Sequence, residues 1–290
     1  MTRGRKRLAL LGLATVLVSF YAGAETILLP DTVPSFNQNY TDGPGAWGNC
    51  NLGTAGCPDQ ICTTGCLVTA FASVLAYYRL DVSVSSKFSC TGVDRSGMDP
   101  GVLNDWLREN GGFGHCAQDP IGDCCLAWDR LPGDIELIFH ANRSDSGLNP
   151  VSSVVIDHAL RTGQPVVAGV HWGASCRAGS SQTEDCHWVV LTGKAGDTYT
   201  IIDPINPDRS NPRGVRTTLD AGTHGAYIID RFVVVPAPSG GFETSTGEDE
   251  SVSAQTPEEA TSSAAATALV LLVVVAAIAA AIIILSVTGE

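Results

Sequence analysis

Residues 66–78, CLVTAFASVLAYY, place Leu67, Ala70, Phe71, Val74, Leu75 and Tyr78 at i, i+3, i+4, i+7, i+8 and i+11. Those positions share one side of a 3.6-residue repeat, so the spacing predicts a helix with an apolar face. Gly65 precedes it, and Thr64 is read as its cap. Residues 100–110, PGVLNDWLREN, predict a second helix, with Pro100 in its first turn and Gly111-Gly112 as its stop. A third is predicted over 150–162, ended by Gly163 before Pro165. After it the period changes. Runs rich in Val, Ile or Tyr and bounded by turn residues predict strands at 165–171, 188–192, 199–202 and 227–235. Helices first and strands after is an α+β plan, a helical half packed on an antiparallel sheet. Residues 25–56 are turn-rich and read as irregular, with Asp42-Gly43-Pro44-Gly45 at their centre.

The two ends are patterned differently. Arg3, Arg5, Lys6 and Arg7 precede an apolar stretch from Leu8 to Tyr21, and Ala22-Gly23-Ala24 supplies small residues before Glu25. Residues 1–24 therefore read as a secretory signal peptide. Residues 264–285, AAATALVLLVVVAAIAAAIIIL, carry no charge. At about 1.5 Å rise per residue a helix of that length crosses the ~30 Å hydrocarbon core. The expectation is a C-terminal transmembrane helix. No Lys or Arg follows it, which keeps open a lipid-anchor signal with Ser251, Ser253 or Ala254 at the attachment site. Residues 237–263 hold six acidic residues and no basic one among Ser, Thr, Gly and Pro. Such a segment cannot bury enough apolar surface to fold, and reads as a disordered stalk. The folded domain is then 25–236.

Charge narrows the partners. The chain has 17 Lys and Arg against 30 Asp and Glu, and its basic residues cluster only in the first seven positions. A phosphate backbone would be repelled, so nucleic-acid binding is excluded. Ten cysteines stand at 50, 57, 62, 66, 90, 116, 124, 125, 176 and 186. Behind a signal peptide the default state of each is a disulfide. Cys176 and Cys186 bracket a Gly/Ser loop and are the one pair that spacing suggests. Structural zinc is disfavoured, since Cys50–Cys57 and Cys62–Cys66 lack paired CxxC spacing. No other metal or cofactor is called for. Parity adds a constraint: if one cysteine stays a free thiol, at least one more is unpaired. Asn39-Tyr40-Thr41 and Asn142-Arg143-Ser144 are glycosylation sequons if the host is eukaryotic.

Three chemically active residue types occur in a telling order. Cys66 opens the first helix, where the positive end of the helix dipole favours a nucleophilic thiolate. His187 opens the run HWVVLTG, a position from which an imidazole could take and return a proton. Asp203 closes the run YTII, and a turn at 194–197 would lay that strand beside the histidine, where a carboxylate fixes the ring's tautomer. Gln60, six residues before Cys66, offers a neutral amide donor for an oxyanion. Taken singly, each has a plainer reading: half-cystine, structural histidine, turn former, surface amide. His171 is the rival base.

The stretch GCLVTAFASVLAYY (65–78) resembles the nucleophile helix of cysteine peptidase family 39 and its secreted relatives, the bacteriocin-processing-type branch of the papain-like superfamily. The spacing Gln60-x5-Cys66, DPGVLNDWLRENGGF (99–113), ALRTGQPVVAGVHW (159–172) and HWVVLTG with YTIIDP resemble further family motifs in the family's order, over residues 58–206. The resemblance implies a papain-like fold, Cys66 as nucleophile, His187 as base, Asp203 as orienting acid and Gln60 as oxyanion donor, acting on a peptide or protein substrate. Leu67 stands where the family usually has Gly, and Cys62, Cys124 and Cys125 are extra. TGC-x-x-T-A also resembles streptopain-type peptidases. The expectation is a secreted, membrane-tethered cysteine peptidase. Two readings compete: a thiol acyl-transferase or amidase on the same scaffold, and a non-catalytic, disulfide-rich surface binding module in which Cys66 is bridged.

Overall fold

The computed structural model describes residues 26–54, 56–114, 123–133, 135–141, 151–172 and 186–238. The signal segment 1–24, the stalk from 239 on, the apolar segment 264–285, Cys116, Cys176 and the sequon at Asn142 lie outside the described residues. Among the described residues no helix is long and apolar enough to cross a membrane.

The chain begins with β1 (Thr26–Leu28), then α1 (Ile61–Thr64), α2 (Cys66–Tyr77), β2 (Val82–Val84), β3 (Arg95–Gly97), α3 (Pro100–Glu109), β4 (Phe113–Gly114), β5 (Cys125–Leu126) and β6 (Ile138–Ala141). It continues through α4 (Ser153–Arg161), β7 (Val166–His171), β8 (Cys186–Ala195), β9 (Thr198–Asp203), β10 (Val215–Thr218) and β11 (Ile228–Val234). Among the described residues, one seven-stranded sheet runs in the order β10-β9-β8-β7-β11-β6, with β1 pairing the far end of β8. All its pairings are antiparallel. The architecture is α+β, as the periodicity predicts.

The sheet is covered on both faces rather than on one. Side chains alternate across a strand, and here both sets are apolar. Val167, Val190, Ile202 and Val233 join Val68, Phe71, Val74 and Leu75 of α2 and Leu103 and Leu107 of α3 in one core. Val166, Ala168, Val189, Leu191, Ile201 and Phe232 join Ile156 and Leu160 of α4 in the other. The first helix is more deeply buried than its apolar stripe implies. Thr69, Ala72 and Ser73 on its supposedly open side are also buried, because small residues there let the sheet and the loops close round it. Its cap differs from expectation: Thr64 ends α1, its hydroxyl donating to Asp59 Oδ2 at 3.1 Å, and Gly65 is the N-cap. A Cβ at Gly65 would lie 2.5 Å from Ile61 O, so only glycine permits this helix-to-helix joint. Helix α3 is capped by Asp99, whose Oδ1 accepts from Val102 N at 2.8 Å.

Disulfides Cys50–Cys90 and Cys57–Cys124 close sequence separations of 40 and 67 residues. Both tie down the irregular segment ahead of the α1–α2 pair. By loop-closure entropy each restrains the unfolded chain by about 4 kcal/mol. Reduction under native conditions is expected to lower the guanidinium midpoint accordingly; an unchanged midpoint would contradict that account. Cys125 and Cys186 are also disulfide-bonded. Among the described residues the free cysteines are Cys62 and Cys66, the even number that parity requires.

Candidate active site

Cys66 occupies the first turn of α2, directly after the Gly65 joint, and is partly exposed. His187 is the second residue of β8, opposite Val170 on β7, and only 3% exposed. The two-residue hairpin Gly196-Asp197, with Gly196 at φ 66°, returns the chain as β9. The antiparallel register that pairs Val190 with Ile202 carries Asp203, the last residue of β9, toward the end of β8 that holds His187. The result is a hydrogen bond of 2.8 Å between His187 Nε2 and Asp203 Oδ1. Cys66 lies beside the same imidazole, close enough to raise its pKa. With Nε2 taken by Asp203, Nδ1 is the nitrogen that faces the thiol.

The electrostatics follow from this contact order. Burial works against a charged His187, but its hydrogen bond to Asp203, the neighbouring Cys66 and the charges of both outweigh burial and push it up to about 9. Burial likewise works against an ionised Asp203. The hydrogen bond and charge of His187 and the N–H groups of Ile205 and Thr223 overcome it and hold the carboxyl well below the usual carboxylate range. Oδ1 accepts from Ile205 N at 2.9 Å as well as from the imidazole, and Oδ2 accepts from Thr223 N at 3.0 Å and Tyr227 Oη at 2.8 Å. Four donors on one fully buried carboxylate describe a fixed anion that holds the imidazole in one orientation.

Gln60 is placed differently from Cys66, His187 and Asp203. It is the N-cap of α1, forming a capping box with Thr63. Its amide Nε2 donates to Asn49 O at 3.2 Å, and its Oε1 accepts from Cys62 Sγ at 3.8 Å. The glutamine that the fold brings against α1, four residues ahead of Cys66, is Gln38. It is 3% exposed, its backbone N donates to Pro204 O at 2.8 Å, and its Nε2 donates to Cys62 O at 3.4 Å. It thus bridges the residue after Asp203 and the turn before Cys66, and among the described residues its buried Oε1 has no hydrogen-bond partner. Asn37 anchors it. That fully buried amide donates to Asp208 O and Asn211 O and accepts from Asn39 N and Asn206 N, locking the 204–212 loop against residues 37–39. Nothing in the local pattern marks Gln38, since its role in the fold arises from partners more than twenty residues away.

His171, the rival base, pairs with Asp230 instead, Nδ1 to Oδ2 at 2.9 Å. His224 is a neighbour the sequence does not reveal. It is exposed, stacks on Trp172 at 4.3 Å, and lies 6.4 Å from the His187 ring, centre to centre. Cys57, Asp59 and Cys124 are close enough to share a metal, but the Cys57–Cys124 disulfide takes both sulfurs.

The profile described as Peptidase_C39 like family matches residues 30–224. A crystal structure from Bacillus anthracis, provisionally assigned as a C39-like peptidase, is 13% identical; the match covers 73% of this chain and 98% of that one, at a TM-score of 0.35. No curated protein sequence matches the chain.

Proposed function

The chain belongs to the Peptidase_C39 like family, and from that premise we propose that it is a cysteine peptidase working through Cys66, His187 and Asp203. The observation that carries the reading is a buried imidazole held at 2.8 Å by a buried carboxylate, with a free thiol beside it. Cys66 Sγ, as thiolate, attacks the substrate carbonyl carbon, and the C=O electron pair moves onto oxygen. As the C–N bond breaks, His187 Nδ1–H gives its proton to the departing amine, leaving a thioester. Water then attacks the thioester with His187 taking its proton. The carboxylic acid product leaves, and the thiolate–imidazolium pair is restored. Gln38, rather than Gln60, supplies the side-chain donor to the oxyanion, supported by its burial beside the turn that leads into Cys66.

The test is labelling with a peptidyl thiol-reactive probe, mapped by mass spectrometry. Modification concentrated on Cys66, with hydrolysis of an unfolded protein substrate falling away as pH rises through about 9, is the expected result. The sign follows from the imidazolium: above that pH the proton needed by the leaving amine is gone. Stability behaves alike. His187 sits above its ordinary value, so its contribution is full below about pH 6.5 and lost as pH rises through about 9. Equal labelling of Cys62 and Cys66, or a Cys66 bridge in non-reducing peptide maps, would return the binding-module reading.

Secretion and tethering belong to the same proposal. Their support is the basic-apolar pattern of residues 1–24, the uncharged stretch 264–285, and disulfides that persist in oxidising compartments. Full-length protein is expected in the membrane fraction and accessible to added protease; deletion of 264–285 is expected to release it to the medium. Retention of the truncated form inside the cell would defeat the topology.

A further inference from the structure

Asp203 is gripped by a segment outside every motif considered so far. After β10, residues Leu219–Ala221 form a short 3-10 turn, and Gly222 bridges Gly225. This strap passes over the carboxylate. Thr223 N donates to Oδ2, and Thr223 Oγ1 donates to Ile205 O at 3.0 Å, tying the strap to the residue that serves Oδ1. Tyr227 closes the strap: its backbone N donates to Leu219 O at 2.8 Å and its hydroxyl donates to Oδ2 at 2.8 Å. The ring is 5% exposed, 6.1 Å from His187 and 5.8 Å from Trp172, and a Cβ at Gly222 would overlap it.

We propose that Tyr227 is a positioning residue of the reaction, its hydroxyl setting how strongly Asp203 holds the His187 proton. A neutral donor on Oδ2 disperses the carboxylate charge, so Oδ1 draws less on the Nε2–H bond. The imidazolium then stays protonated long enough to pair with the thiolate, yet gives its other proton readily to a leaving amine. Burial, and after it the charge of Asp203, keep the phenol protonated throughout, so it is always a donor to this anion. Among the described residues the groups that face His187 are Cys66, Asp203, Tyr227 and His224. Tyr227 is the one that can alter the carboxylate without touching the imidazole's own hydrogen bonds.

The catalytic meaning rests on the peptidase reading, but the deciding measurement does not need activity. In full-length protein carrying 15N-histidine, the His187 titration is followed by NMR in wild type and Tyr227→Phe. The three remaining donors keep Asp203 in place, so the variant is expected to bind the His187 proton roughly threefold to tenfold more tightly, the effect of one lost hydrogen bond. With a peptide substrate, kcat at neutral pH falls by a similar factor and KM is unchanged. A titration midpoint that stays put or moves down overturns the proposal, whatever happens to Tm. Inactive wild-type protein with an upward midpoint in the variant instead overturns the peptidase reading and leaves the tyrosine coupling standing.

Discussion

Alanine at Cys66 or at His187 is expected to cost kcat about 10⁵-fold or more, and the double variant is expected to be no worse than either single one. In the proposed reaction the two groups act as one unit, so removing the second takes away nothing that would still function. Asp203→Asn is expected to cost about 10²–10⁴-fold. Its case turns on donors. Oδ1 and Oδ2 together accept from His187, Ile205, Thr223 and Tyr227. An asparagine offers one acceptor oxygen and one donor NH2. Facing the NH2 toward Thr223 and Tyr227 sets it against their two donors, and turning it round leaves His187 Nε2–H without an acceptor. Either way the imidazole loses its hold or the strap moves, and a buried His187 loses its counter-charge, so Tm falls too. Turnover rates and melting curves on purified protein check the series. Asp203→Asn within tenfold of wild type, at unchanged Tm, would remove Asp203 from the proposed machinery.

The second large effect separates two glutamines. Gln38→Ala is expected to lower kcat about 10²–10³-fold, the usual loss for one oxyanion donor, with little change in KM. Gln60→Ala is expected to keep kcat within a few-fold and to lower stability by about 1 kcal/mol through its cap. The distinction is physical. Gln60 is a half-buried cap residue whose amide donates to Asn49 O at the start of α1, whereas Gln38 is buried, held by its backbone N on Pro204 O and its amide on Cys62 O. The reverse ranking of the two variants would restore Gln60 as the donor.

The sequence makes legible what is encoded locally. The α2 stripe, Pro100 and Gly163 at helix ends, and the Val and Ile runs of β7, β8, β9 and β11 each carry a period or a stop signal within a dozen residues. Cys66, His187 and Asp203 are legible because each stands at the end of such an element. The short strands are not. Thr26–Leu28 and Val215–Thr218 are three or four residues long, too few to show alternation, and they exist because β8 and β9 offer them hydrogen bonds. Gln38 and Tyr227 are invisible for a related reason. Each acquires its place through distant partners, Pro204 and Cys62 for one and Asp203 for the other. The capping place of Gln60 is equally hidden, because the four-residue helix Ile61–Thr64 is too short to announce itself.

The coexistence of bridged and unbridged sulfurs within one small region has a practical cost. Any reductant strong enough to clear an oxidised Cys66 also threatens Cys50–Cys90 and Cys57–Cys124, which brace the loop leading into it. Turnover should therefore rise and then decline as thiol buffer is increased, and handling conditions, as much as substrate choice, decide whether the protein looks alive in a tube.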